Sequence, residues 1–114
     1  MDGTNTTARL EGKLHREYLT NAIKEAIDGK VDESKKHFVY ANITNLIYKS
    51  LFGMTAEQLR QERHVRSKEL RDFLTQEELI LVSSVEGMLA MSIKKNDGDA
   101  YEICKEWLDK YAQY

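Results

Sequence analysis

The chain has 114 residues, 41% of them hydrophobic and 32% charged, with a formal net charge of −2. One domain is expected at this length, and a single cysteine excludes a disulfide framework or a multi-cysteine zinc module. The near-neutral charge excludes a globally basic nucleic-acid binder, no apolar run reaches the roughly 18 to 20 residues of a membrane span, and the absence of proline favours helix throughout.

Residues 7–28 read as one long helix. Leu10, Leu14, Tyr18, Leu19, Ala22, Ile23, Ala26 and Ile27 recur at three- and four-residue steps on a broad stripe. About twenty helical residues extend about 30 Å, the breadth of a small domain. One core therefore leaves part of this stripe uncovered, and Leu10, Leu14 and Tyr18 are the candidate face for a second copy or another partner. The polar run 29–37 reads as a mobile connector, and residues 38–114 as a helical core module. Within that module, Tyr40, Ile43, Leu46, Ile47 and Phe52 place a helix before Gly53.

Thr55-Ala56-Glu57-Gln58 and Thr75-Gln76-Glu77-Glu78 both fit the capping box, in which a Thr oxygen and a side chain three residues later satisfy each other's orphan N–H groups. The first opens a helix from Ala56 to His64. Ser67 is read as the cap of a short helix through Leu70 to Leu74. The second box opens a long helix, apolar around much of its circumference, carrying Leu79 to Val82, Val85, Met88, Leu89, Met91 and Ile93. It is read as the most buried element. Lys94 and Lys95 complement its C-terminal dipole, and a turn at Asn96-Asp97-Gly98 follows. Asp99 starts the last helix, with Ile103, Cys104, Trp107, Leu108 and Tyr111 on one face. The expected fold is all-α, a single compact domain of five to six helices led by a long amphipathic one.

Few residues point to chemistry. His15, His37 and His64 lack the spacing of metal ligands or of a nucleophile pair, and there is no phosphate-cradling glycine loop. No enzymatic activity, cofactor or metal is expected. Met54, Met88, Met91, Tyr101, Trp107 and Tyr111 are read as core side chains, with Trp107 and Tyr114 as alternatives for a dimer seam. Five cations fall within twelve positions: Arg60, Arg63, Arg66, Lys68 and Arg71. Interleaved acids suit a solvated surface with pairs such as Glu62/Arg66. The same stretch also has a helix-turn-helix outline, with Lys68 and Arg71 toward bases and Arg60, Arg63 and Arg66 toward phosphates.

The run from Ile43 to Arg60 carries Thr44-Asn45, Leu51-Phe52-Gly53, Ala56 and Leu59-Arg60. It is followed by Leu70-Arg71-Asp72 and by Thr75 through Leu79. These residues, about a third of the chain, resemble a helical module of phage and prophage regulatory proteins of the antirepressor (KilA-N-associated) type, similar to the C-terminal half of DNA-damage-inducible protein D. Where such modules often have Gly-Leu, this chain has His64-Val65. The resemblance implies a small phage or prophage protein, in the cytoplasm of a bacterial host, and specifies no molecular activity. The near-neutral charge, the overlong amphipathic first helix and the lack of a catalytic set lead to the expectation of a regulatory or host-interacting protein that acts by protein–protein contact, as a homodimer, and inhibition of a host or defence factor fits the same features. The alternative is a DNA-binding regulator using 56–74.

Overall fold

The structure, a computed structural model, describes the backbone of residues 3–96 and 98–112 and side chains from Leu14 onward within that range. The side chain of Leu10, together with Asp97 and Tyr114, lies outside the described residues. Six α-helices follow one another: α1 Gly3–Ile27, α2 Lys36–Phe52, α3 Ala56–Glu62, α4 Leu70–Phe73, α5 Gln76–Lys95 and α6 Ala100–Tyr111. No strand occurs among the described residues, and no described helix is long and apolar enough to cross a membrane.

Local chemistry fixes most of these boundaries. Thr55 and Thr75 each accept from the backbone N–H three residues on, and Gln58 and Glu78 accept in return from the Thr N–H. Both boxes stand where the spacing predicts them. Asp99 caps α6 by accepting from Glu102 N–H. Gly53 ends α2 with φ of 77°, a left-handed conformation that costs a residue without Cβ little.

Three boundaries differ from expectation. The polar run 29–37 contains a short 3-10 turn, Glu33–Lys35, and α2 already starts at Lys36. There Lys36 pairs with Glu33 at 2.7 Å. α3 stops at Glu62, and His64 takes φ of 58° in the position after the cap. Val65 N–H reaches back to Arg60 O and His64 N–H to Gln61 O, the paired bonds of a Schellman turn with His in the usual glycine place. Finally, Ser67 caps no helix: its Oγ accepts locally from Glu69 N–H, the chain stays extended, and α4 is a single turn starting at Leu70.

Two apolar clusters hold these elements. The larger joins α1, α2, α5 and α6 through Leu19, Ile23, Ile43, Ile47, Leu89, Ile93, Cys104 and Leu108. The smaller joins α2, α3, α4 and α5 through Tyr48, Leu59, Phe73, Leu74 and Val82. Cys104 is fully enclosed, and burial pushes its thiol up to about 12.

α1 and α5 make the broadest helix pair. Gly87 faces the His15 ring, where a Cβ would stand in ordinary contact at 3.4 Å. His15 Nδ1 lies 2.9 Å from the carbonyl oxygen of Ser83 and 2.8 Å from its Oγ. A carbonyl only accepts, so this nitrogen carries the proton and donates. His15 is thereby a structural tie between the two helices.

Candidate interaction surface

The basic segment is mostly occupied from within. Arg63 makes a two-pronged bond to Glu78, at 2.6 and 2.7 Å, and its Nη1 also donates to Phe73 O at 2.7 Å. That guanidinium holds the Glu78 carboxyl down at about 2, helped by the backbone N–H of Thr75. Arg60 pairs with Glu57 and donates to Val65 O at 2.9 Å and Arg66 O at 3.2 Å, bracing the exit of α3. Arg71 Nε lies 2.7 Å from Glu69. Arg66 and Lys68 are exposed and make no ion pair among the described residues. The five cations thus do not form one open patch. Three are tied to neighbouring acids, and two stand on the extended stretch between α3 and α4.

A polar group that sequence reading passed over lies on the inner arc of α5. Glu86 is 8% exposed and borders a cleft of about 260 Å³ with Arg16, Thr20, Tyr40 and Thr44. Burial pushes its carboxyl up to about 7, against the opposing pull of Arg16. The signal was present in the spacing: Glu86 follows Val82 by four residues and precedes Leu89 by three and Ile93 by seven, on their arc. Nearby, the buried Tyr48 hydroxyl has no hydrogen-bond partner among the described residues.

The outer arc of α5 carries the main surprise. Met88 and Met91, read from sequence as core, are 47% and 54% exposed, and Ile80 and Leu81 are also exposed; on α6, Tyr111, likewise read as core, is exposed too. α5 is apolar around much of its girth, but α1, α2, α4 and α6 cover only the arc of Val82, Val85, Leu89 and Ile93. Among the described residues, the opposite arc is flanked only along one side, by α1 at His15 and Tyr18. Tyr101 and Trp107 are half-buried beside the larger cluster, as is Met54 beside the smaller.

Tyr18 on α1, half exposed, continues this surface, and Leu14, also half exposed, precedes it by about one helical turn. Between α1 and α5 runs a groove of about 490 Å³, lined by His15, Tyr18, Ser84, Gly87, Met88 and Met91. Exposed methionines are adaptable and polarizable, and fit irregular apolar partners. A contiguous apolar surface of this kind marks a contact site more often than isolated exposed side chains do. No family model, curated protein sequence or solved structure matches the chain.

Proposed function

We propose that the chain works by protein–protein contact, through the apolar surface that Leu14 and Tyr18 of α1 share with Leu81, Met88 and Met91 of α5. One observation carries this reading: large apolar side chains lie exposed along a groove between the two most tightly paired helices. Those helices are anchored by the larger core and by the His15–Ser83 tie, so the surface is held ready rather than assembled on contact. The phage-type regulatory or host-interacting role, with inhibition of a host or defence factor as one form, extends this reading through the resemblance of residues 43–79. It assigns no catalytic residue and no cofactor.

The test is a photo-crosslinking side chain at position 91 in living bacteria, with a control at Lys105 on the polar side of α6. A discrete protein adduct at 91 and none at 105 is the expected result. Equal, diffuse labelling at both positions sinks the reading. A second reading, DNA contact, rests on Arg66 and Lys68, the two cations of the basic segment that make no ion pair among the described residues. It requires salt-dependent binding to duplex DNA that falls when both are replaced by Gln.

A further inference from the structure

The outer arc of α5 has an internal order that points to its occupant. Glu77, Leu81, Ser84, Met88, Met91 and Lys95 are all exposed. They follow one another by four, three, four, three and four residues, the step pattern of a coiled-coil seam. The stripe is also self-complementary when reversed. Turn a second α5 end for end about a two-fold axis level with position 86, and the six positions pair off. Glu77 meets the other copy's Lys95, Leu81 meets Met91, and Ser84 meets Met88, each pair twice. Acid faces base at both ends, and apolar side chains face each other in between. A parallel copy would instead set Glu77 against Glu77 and Lys95 against Lys95. Neither Glu77 nor Lys95 has an ion pair among the described residues.

We infer that the groove between α1 and α5 takes a second copy of this chain, with the two α5 helices packed antiparallel about position 86. This rests on the protein-contact reading above and names its partner. The seam runs from 77 to 95, about 27 Å at 1.5 Å per residue. Ser84, the smallest side chain of the stripe, gives the opposing Met88 room near the axis. Tyr18 walls one side and lengthens the apolar contact. Isologous pairing of this kind closes at two chains, because each copy uses the same patch.

Sedimentation equilibrium from 1 to 100 µM (on the order of ordinary affinities) gives the first result. Twice the chain mass of 13.2 kDa is expected, and a single-chain mass throughout overturns the inference. Met88→Glu, at an exposed position, is expected to raise the dissociation constant about 30-fold or more while the helical circular-dichroism signal stays unchanged. Glu77→Lys and Lys95→Glu each weaken the dimer several-fold, and the double variant restores it; a failure to restore overturns the antiparallel register. Mixing chains carrying Ser84→Cys with chains carrying Met88→Cys yields the mixed disulfide under mild oxidation. Preferential joining of Ser84→Cys chains to each other overturns the arrangement. If the chain is monomeric and position 91 crosslinks to a different polypeptide, this inference fails while the contact reading stands. If position 91 gives no discrete adduct, both fall.

Discussion

The first turn and the middle of α5 treat an enclosed or half-enclosed acid in opposite ways. At its N-terminal end, Glu78 is gripped by Arg63 and by the Thr75 N–H, and its carboxyl is held ionised. Two turns on, Glu86 is enclosed with no comparable grip, and burial favours its neutral form. The first region, around α3 and α4, has an apolar cluster of five buried residues, and directional polar bonds supplement it. The second, the four-helix part, has thirteen and tolerates an awkward polar group. Polar bonding is spent where the core is thin, and this is why the arginines of the corner are not free for an outside ligand.

The sharpest way to break this contrast is truncation of each core. Leu89, fully buried among α1, α2, α5 and α6, is expected to lose about 4 to 5 kcal/mol as Leu89→Ala. Leu59→Ala in the corner is expected to lose about 2 to 3 kcal/mol, because its surroundings are smaller and collapse more readily. Urea unfolding at neutral pH measures both. Equal losses would remove the distinction between a thick and a thin core.

The two acids separate by pH. Glu86 titrates near 7 in the folded chain against 4.5 as its ordinary value. Its contribution is therefore fully present below pH 4.5 and is lost as pH rises through 7, by up to about 3 kcal/mol. Glu78 runs the other way: folded, it titrates near 2, so its contribution is present above 4.5 and is lost as pH falls through 2. Its partner Arg63 is one-third exposed, which reduces that contribution to about 1 kcal/mol. Glu86→Gln should raise the urea midpoint at pH 8 and leave it nearly unchanged at pH 4. Glu78→Gln should lower it at pH 8. The same sign for both variants at pH 8 would refute the contrast.

The smallest effect belongs to the turn after α3. His64 holds φ of 58°, where a Cβ crowds the backbone. His64→Gly should stabilise the corner by about 0.5 to 1 kcal/mol in the same unfolding assay; a loss would mean that the imidazole makes up for its own strain.

Much of this architecture was readable in the residues. The helix starts at Thr55, Thr75 and Asp99 were legible because capping is local chemistry within four positions. The basic segment was not legible as a set of closed pairs, since the acid that binds Arg63 lies fifteen residues downstream and meets it only through the α3–α4–α5 corner. The short helix at Ser67 failed because that hydroxyl spent itself on Glu69 N–H and left the backbone extended. Met88 and Met91 were misplaced for a different reason. Periodicity shows that α5 is apolar around much of its circumference, but only the count of neighbouring helices decides which arc they cover.

The lone thiol of Cys104 gives the molecule a built-in clock for its own opening. It is the single cysteine of the chain, wholly enclosed, with its proton held on by burial. Alkylating reagents act on thiolates that they can reach. The rate at which a maleimide consumes this protein therefore reports how often the four-helix core comes apart, with no added label and no second site to confuse the reading.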